Sequence, residues 1–273
     1  MSAEWPTAAE WLASRAEGGL VIAGMPISEH AVTPSAAYDR APGAIRSRLT
    51  KLSAFHGERG IDLRKVPVVD RGDSGLPAPL TPPLTIVLGG HNAVTFHVLA
   101  AAGELKSWGL LTLDAHHDVR SYRAGAVGNG SPVRALIDVG LPGANIVQVG
   151  IHGFSNAAGD RAWCEEQGVT VLGPERVGEV PALLDSLASR CGSIYVDLDI
   201  DVLDRAFAPG CPGARPGGIT PRELFDAAFA AGSHPSVKGV DIVEVDPATD
   251  VAHITTDAAA LALLNTAAGF ATR

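Results

Sequence analysis

The most regular feature of the chain is a series of short apolar runs separated by longer, mixed segments. Such runs, apolar throughout, are typical of strands that are buried on both faces of a sheet. They predict eight strands, at residues 19–24, 66–70, 84–90, 109–114, 145–150, 169–173, 193–199 and 239–245.

Segments rich in Ala and Leu that end near Gly lie between these runs, as is typical of helices. Four of them, at residues 93–109, 131–140, 181–192 and 221–232, are predicted to be helical. Alternation of strands and helices indicates the α/β class, with a parallel sheet wrapped by helices. Loops rich in Pro, Gly and Ala are expected at 31–44, 71–83 and 205–219, and the last is long enough to shape a pocket.

Composition narrows the range of functions. The 273 residues are 46% hydrophobic, which is compatible with one domain spanning 1–273. The net charge is −9 and no basic run occurs, so nucleic acid and anionic membranes are not expected as partners. No window reaches about 18 apolar residues, and the first residues lack the pattern of a secretory signal.

Cysteine usage bears on the cellular compartment and on the kind of metal site. Cys164, Cys191 and Cys211 are odd in number and lack the spacing of zinc ligands. A disulfide scaffold and a thiolate-bound metal are therefore not expected, and a reducing, cytoplasmic location is predicted.

Two of the apolar runs end in acidic residues spaced two apart. The run LLTLDAHHD at 110–118 places Asp114, His116 and Asp118 at this spacing, and IYVDLDIDVLD at 194–204 does the same for Asp199 and Asp201. In an extended chain, residues i and i+2 point to the same side, so each set is predicted to converge. Carboxylate and imidazole ligands in this proportion favour Mn²⁺, with enough charge for two divalent cations.

One such run alone would more often be a loop or a helix cap. Two runs are harder to explain in that way, because buried like charges repel each other strongly unless a cation lies between them. In parallel sheets, ligands bind at the carboxyl ends of the strands. His91, Asp114, Asp199 and Glu244 each fall at or just past such an end, which predicts a common site.

Five motifs together resemble the ureohydrolase superfamily, which contains arginase, agmatinase, guanidinobutyrase and formimidoylglutamase. They are GGHN at 89–92, DAHHD at 114–118, DID at 199–201 followed by VLDRAFAPG, GGIT at 217–220 and DIVEVDP at 241–247. The resemblance implies a three-layer α/β/α sandwich with a mostly parallel sheet, two Mn²⁺ ions that activate a bridging hydroxide, and a homo-oligomer. It also implies that Asp114, His116, Asp118, Asp199 and Asp201 are five of six metal ligands.

The sixth ligand departs from the family pattern, which is usually Gly-Gly-Asp-His. An ungapped match puts Asn92 at the histidine position and His91 at the aspartate position. An Asn carbonyl binds Mn²⁺ weakly and imidazole binds it better, so a shift by one residue would make His91 the ligand. Both assignments stay open at this stage.

A second departure concerns proton transfer. Where arginase-like members have a His-Gly pair, this chain has Asn129 followed by Gly130. Asn129 cannot transfer a proton, but it can donate a hydrogen bond to the substrate. Protonation of the leaving group would then fall to Asp118 or to metal-bound water, with His117 and His152 as substitutes for which a structural role is the better interpretation.

Specificity is expected to come from Glu244 and from two arginines in loops. Glu244 matches the glutamate that binds guanidinium in the family, and a Glu inside an apolar run needs a cationic partner. Arg123 and Arg215 favour a substrate with carboxylates, because guanidinium binds these groups bidentately.

These features favour N-formimidoyl-L-glutamate as the substrate, hydrolysed to glutamate and formamide. Two alternatives stay open. One is a guanidine hydrolase that releases urea from agmatine, guanidinobutyrate or arginine. The other is a catalytically silent relative that only binds a ligand.

Overall fold

The computed structural model describes residues 5–14, 18–34 and 36–273. The strands of this part of the chain form one large parallel sheet and one two-stranded antiparallel hairpin, which consists of β2 and β3. The strands are β1 (Leu20–Met25), β2 (Phe55–His56), β3 (Ile61–Asp62), β4 (Val68–Asp73), β5 (Leu84–Gly89), β6 (Trp108–Leu113), β7 (Ile146–Val149), β8 (Thr170–Leu172), β9 (Ser193–Asp199) and β10 (Val237–Val243).

Helices cover both faces of the large sheet. They are α1 (Ala8–Leu12), α2 (Ala41–Arg48), α3 (Ala93–Ala101), α4 (Pro132–Asp138), α5 (Ala158–Glu166), α6 (Val180–Ala188), α7 (Pro221–Ser233) and α8 (Ile254–Phe270). One apolar cluster joins α1, α2, α6, α7 and α8 to one face of the sheet. A second joins α3, α4 and α5 to the other face, which gives three layers.

The eight strands of the large sheet follow the order β4-β1-β5-β10-β9-β6-β7-β8. Every neighbouring pair in it is parallel. Strand residues alternate between the two clusters, as Val196 and Tyr195 do in β9. The predicted α/β/α sandwich and the eight predicted strands are thereby confirmed. The strands β5, β10, β9 and β6 are adjacent, so their carboxyl ends form one continuous edge at the centre.

The boundaries of some predicted elements are wrong. The helix predicted over 93–109 ends at Ala101, because Gly103 and Glu104 adopt left-handed backbone conformations with φ of 70° and 45°. The loop predicted over 31–44 ends earlier, since α2 begins at Ala41 with Pro42 in its first turn. The loop predicted over 71–83 begins later, because β4 continues to Asp73.

Two further expectations concern the chain as a whole. None of the described helices has the length and apolar character that crossing a membrane would require. Cys164, Cys191 and Cys211 are all buried and form no disulfide.

Candidate metal centre and substrate site

A cavity of about 260 Å³ opens at the carboxyl edge of the four central strands. Asp199 is the last residue of β9, Asp114 follows β6, and Glu244 follows β10. Asn92 lies three residues after the end of β5, where α3 begins. The parallel direction of these strands is what brings four separate segments of the chain to one place.

The first group of possible ligands contains Asp114, His116 and Asp201. Their nearest ligand atoms lie within 4.8 Å of one another. His116 Nδ1 is 2.7 Å from Asp201 Oδ2 and 3.6 Å from Asp114 Oδ1. These three side chains could therefore hold one cation between them.

The second group is arranged around the amide of Asn92. Its Nδ2 atom lies 3.2, 3.0 and 3.2 Å from carboxylate oxygens of Asp114, Asp118 and Asp199, respectively. Asp114 thus belongs to both groups. Two neighbouring cation sites that share this carboxylate would fit the arrangement.

The side chains converge through turns rather than through extended backbone, which corrects the physical reason given for the spacing. The Asp114 carboxylate accepts a hydrogen bond from His116 N at 2.6 Å, and that of Asp199 accepts one from Asp201 N at 2.8 Å. Asp118 has a left-handed φ of 53°. The predicted side chains come together beyond the strand ends, but each of the two groups contains members of both runs, because His116 lies with Asp201 and Asp118 lies with Asp199 around Asn92.

His91 is fully buried and directs neither ring nitrogen at the carboxylates. Its Nε2 lies 2.7 Å from the carbonyl oxygen of Glu29, and its Nδ1 accepts a hydrogen bond from Ala93 N at 3.2 Å. Both nitrogens are thereby engaged by the backbone. Of the two residues left open by the sequence, the structure brings Asn92 and not His91 to the carboxylate groups.

A buried hydroxyl group lies behind Asn92. Thr95 Oγ1 is 2.8 Å from Asn92 Oδ1 and also 2.8 Å from Asp241 Oδ2. The same Asp241 oxygen accepts a hydrogen bond from Tyr195 at 2.9 Å. A hydroxyl group has one proton and so can donate to only one of two acceptors. One of the two Thr95 Oγ1 contacts is therefore a hydrogen bond only if the other atom in it carries a hydrogen and donates it.

No Lys or Arg of the described residues balances the charge of the carboxylates. Burial raises the pKa of Asp114 to about 7, and the charge of Asp201 adds to the effect. Burial and neighbouring carboxylates likewise raise the pKa values of Asp118 and Asp199 well above their usual range. Within residues 5–14, 18–34 and 36–273, no Lys or Arg forms an ion pair with any of them. An oxygen-rich cluster of this kind is suited to hard divalent cations.

His116 partly compensates the cluster when it is protonated. Burial alone would lower its pKa, but Asp201 and Asp114 outweigh burial and raise the pKa to about 11. Burial would raise the pKa of Asp201, yet the charge of His116 and their hydrogen bond hold it below its usual value. The proton on His116 occupies the place that a metal ion would take.

Glu244 is held in an unusual conformation at the base of the cavity. Its φ is 68°, a region that costs a non-glycine residue about 1–3 kcal/mol and is found most often at functional sites. Glu244 N donates to Gly90 O at 2.9 Å, and Glu244 Oε1 accepts from Asn92 N at 2.8 Å. These bonds fix the carboxylate where β5 and β10 end.

The Glu244 carboxylate is only 3% exposed and accepts further hydrogen bonds from the side chains of Tyr38 and Asn129. Burial raises its pKa to about 7, although the bond from Asn92 N acts in the opposite direction. Asn129 Oδ1 accepts from Val32 N at 2.8 Å, which leaves the Asn129 amide nitrogen for Glu244. The structure brings Glu244 and Asn129 together in this cavity.

The two histidines named as substitutes for proton transfer do not line this cavity. His117 is buried, with Nδ1 2.7 Å from Gln148 Oε1. His152 is 6% exposed, and its backbone N–H donates to Ala115 O at 3.0 Å. The position of His117 agrees with a structural role, whereas His152 Nε2 has no hydrogen-bond partner within the described residues.

The two predicted arginines are placed differently. Arg215 lines the cavity, and its Nη1 donates to backbone carbonyl groups, among them that of Pro212 at 2.9 Å. Arg123 is exposed, forms a backbone bridge with Ala126 and does not line the cavity. The structure therefore brings only one of the two arginines to the site.

Several cavity residues were not identified from the sequence, among them Tyr38 and Arg120, whose side chains are polar. Tyr38 lies in the loop after β1, and no local pattern marked it. Arg120 follows Asp118 by two residues, so the two-residue spacing would have found it if the pattern had been continued.

Comparisons with known proteins agree with this architecture. The model of the Arginase family matches residues 19–269. A formimidoylglutamase from Halalkalibacterium halodurans is 36% identical, with 93% of this chain and 88% of that protein covered.

Solved structures are similar over almost the whole chain. The crystal structure of formimidoylglutamase from Bacillus subtilis has a TM-score of 0.90 at 28% identity, covering 99% of this chain and 94% of that one. Formiminoglutamase from Trypanosoma cruzi with Mn²⁺ has a TM-score of 0.86 at 23% identity, covering 99% and 100%, and this likeness concerns the fold. With the family model matched from β1 into α8, the chain belongs to the arginase family.

Proposed function

We propose that the protein is a Mn²⁺-dependent hydrolase of N-formimidoyl-L-glutamate. The observation that carries the proposal is the combination, in one cavity, of a carboxylate cluster that no Lys or Arg of the described residues neutralises, the buried carboxylate of Glu244, and an arginine at the cavity wall. A dianionic amidine matches all three features. The name of the relative at 36% identity and that of the solved B. subtilis structure support the same substrate.

The proposed metal sites follow from the two side-chain groups. One Mn²⁺ would be held by Asn92, Asp114, Asp118 and Asp199, and the other by Asp114, His116, Asp199 and Asp201. The donor set fits, because it is rich in buried anionic oxygen and contains no thiolate. When bound, paired divalent cations lower the pKa of water towards about 7 and so supply a nucleophile.

The Thr95 contacts support Asn92 as a ligand. If the amide is turned by 180°, its oxygen faces the carboxylate groups and its nitrogen faces Thr95 Oγ1. Thr95 would then accept a hydrogen bond from Asn92 and donate its single proton to Asp241, which resolves the double contact at 2.8 Å. The same orientation presents a carbonyl oxygen to a cation.

The protein residues would bind and orient the amidine. Glu244 would pair with the amidinium group, with Tyr38 and Asn129 holding its carboxylate in place. Water adds to the amidine carbon, and the bond from this carbon to the glutamate nitrogen breaks. Asp118, which lines the cavity, would carry the proton from water to the departing nitrogen, so that formamide and glutamate are released.

A guanidine hydrolase is the alternative within the same family. Agmatine has a second cationic group, which would meet the Arg215 side chain at the cavity wall. Arg215 therefore favours an anionic substrate over agmatine. We also propose a homo-oligomeric state. A cytoplasmic location is proposed as well, and it is consistent with three cysteines that form no disulfide.

Substrate comparison tests the proposal. Purified protein loaded with Mn²⁺ should be given formimidoylglutamate, agmatine, guanidinobutyrate and arginine in parallel, with formamide, glutamate and urea as readouts. We expect the highest kcat/KM for formimidoylglutamate, with formamide and glutamate in equal amounts. A higher kcat/KM for a guanidine, with release of urea, would overturn the substrate assignment.

A further inference from the structure

We propose that Arg120, together with Arg215, binds the carboxylate groups of the substrate, and that Arg123 does not. This inference rests on the proposed function, since it names how the same cavity recognises a dianionic amidine. It assigns to Arg120 the role that the sequence alone suggested for Arg123.

Arg120 is positioned by the segment that carries Asn129. Its backbone N–H donates to Gly130 O at 2.9 Å, and its side chain lines the same cavity as Asp118, Asn129 and Glu244. A Cβ atom at Gly130 would lie 2.9 Å from Arg120 Cδ, which is too close. The glycine therefore leaves the room through which the Arg120 stem passes along the cavity wall.

The guanidinium of Arg120 is available for a ligand. Within the described part of the chain, it forms no hydrogen bond and no ion pair with another residue. Some other arginines are paired, such as Arg46 with Asp70 at 2.7 Å and Arg222 with Glu58 at 2.7 Å. The Arg123 side chain, like that of Arg120, forms no hydrogen bond or ion pair within the described residues, so its position outside the cavity is what separates it from Arg120. Arg215 also lacks a carboxylate partner, because its hydrogen bonds go to backbone carbonyl groups.

Charge balance explains why two cations would be needed. Five carboxylates surround the proposed metal and amidine positions, those of Asp114, Asp118, Asp199, Asp201 and Glu244, with His116 neutral when it binds a metal; Asp160 of α5 is a sixth carboxylate on the cavity wall. Two divalent cations leave one negative charge on the first five, which the amidinium group of the substrate neutralises. The two carboxylates of the substrate are then without partners unless the cavity wall provides two positive charges. Arg120 and Arg215 are both on that wall.

The test compares arginines that differ in position alone. Arg120→Met and Arg123→Met remove equivalent side chains three residues apart, one inside and one outside the cavity. For each variant, kcat/KM is measured for formimidoylglutamate and for formamidine, which has no carboxylate. A lost charge-assisted bidentate contact predicts that Arg120→Met lowers the ratio of the two values about 10- to 150-fold. Arg123→Met should change this ratio less than about 3-fold, as expected for an exposed side chain that touches no ligand.

Two further variants separate charge from geometry. Arg120→Lys keeps the charge but loses the planar guanidinium group that can bind a carboxylate bidentately. The ratio of the two kcat/KM values should therefore lie between those of wild type and Arg120→Met. Gly130→Ala should lower the ratio without any change of charge, because the new methyl group displaces the Arg120 stem. If Arg120→Met lowers both kcat/KM values equally, or if Arg123→Met has the larger effect on the ratio, the inference is overturned.

Binding of L-glutamate distinguishes this inference from the proposed function. Calorimetric titration of the Mn²⁺-loaded protein with L-glutamate needs no turnover, and we expect Arg120→Met, but not Arg123→Met, to weaken binding by at least 10-fold. If wild type prefers a guanidine but shows this difference, the proposed function fails and the carboxylate site stands. If wild type hydrolyses formimidoylglutamate and the two variants bind glutamate equally, the carboxylate site fails and the function stands.

Discussion

Asn92 is the residue at which this chain departs most clearly from the family pattern that its motifs resemble. Its amide lies within hydrogen-bonding distance of three carboxylates, whereas both nitrogens of the adjacent His91 are engaged by the backbone. A neutral amide is a weaker metal ligand than imidazole. The two proposed metals should therefore differ in affinity, with the one at Asn92 the weaker.

Substitution of the two neighbours tests this assignment. Asn92→Ala should lower the affinity for one of the two Mn²⁺ ions by about 10-fold or more and leave the affinity for the other near its original value. His91→Gln removes the ring from a buried position and should lower stability while both ions remain bound. Mn²⁺ titration of the metal-free variants gives the two affinities. Loss of an ion in His91→Gln, with normal binding in Asn92→Ala, would reverse the assignment.

Glu244 gives a second prediction at the residue scale. Glu244→Gln keeps the size of the side chain and one acceptor oxygen but removes the charge that would pair with an amidinium. The loss of one charge-assisted contact predicts a fall in kcat/KM of about 10- to 150-fold. Tyr38→Phe, which removes only a hydrogen-bond donor to Glu244, should cost less. Equal kcat/KM for wild type and Glu244→Gln would remove Glu244 from the proposed binding site.

At the scale of elements, a polar network ties α3 to the central strands. Thr95 of α3, Asp241 of β10 and Tyr195 of β9 share one buried cluster behind Asn92. Backbone pairing places Asp241 beside Asp197 of β9. A polar layer of this kind, between the apolar core and the carboxylates, would fix the direction in which the Asn92 amide points.

Thr95→Val tests whether this network orients Asn92. The change is nearly isosteric but removes the hydroxyl, so the weaker Mn²⁺ ion should lose affinity while the other is kept. Thr95→Ser restores the hydroxyl and should recover the affinity. If valine and serine at this position give the same Mn²⁺ affinities, Thr95 only fills space. Thermal denaturation of both metal-free variants controls for a general loss of stability.

The strands were predictable because each one is apolar throughout and short, which is the pattern of a parallel sheet covered on both faces. The spacing also predicted that the acidic runs meet at one site, but not that His116 would lie with Asp201 and Asp118 with Asp199, because turns and a left-handed Asp118 set these positions. Boundaries such as the end of α3 at Ala101 were not, because the local signal is spread over several residues. Helix α8 has no apolar stripe, since it is buried on most sides.

Parts of the site depend on packing between distant segments, and for them the sequence carried no signal. Whether His91 or Asn92 faces the carboxylates depends on Glu29, because its backbone carbonyl group is hydrogen-bonded to the His91 ring. Arg120 and Arg123 look equivalent in the sequence, and only Gly130 and the course of the following loop separate them. Contacts of this kind join residues that are tens of positions apart.

At the scale of the whole molecule, the carboxylate cluster should make stability depend on pH and metal together. Raised pKa values mean that the folded, metal-free protein binds more protons than the unfolded chain. For Asp114 the excess of bound protons extends from pH 3.8 to about pH 7, and for Glu244 from pH 4.5 to about pH 7, which are the usual and the raised pKa values of each group. For His116 the corresponding pKa values are 6.5 and about 11. The contribution of the cluster to stability therefore falls as pH rises through these windows.

Mn²⁺ should reverse this dependence, because it replaces the protons and binds more tightly as they leave. We expect the difference in Tm between protein with Mn²⁺ and protein with EDTA to increase from pH 6 to pH 8.5. Asp199→Asn, which removes a carboxylate from the cluster, should make this difference smaller at every pH. A difference in Tm that does not change with pH would contradict a cluster that exchanges protons for metal.

The most direct measurement is a Mn²⁺ titration of the metal-free protein in which the initial rate of glutamate release from formimidoylglutamate is followed. The account predicts no release without metal and a rate that becomes constant when two Mn²⁺ ions are bound per chain. Asp114→Ala, which removes one of the two carboxylates common to both proposed sites, should remain inactive throughout. Glutamate release by the metal-free protein, or a constant rate at one ion per chain, would contradict the proposed binuclear centre.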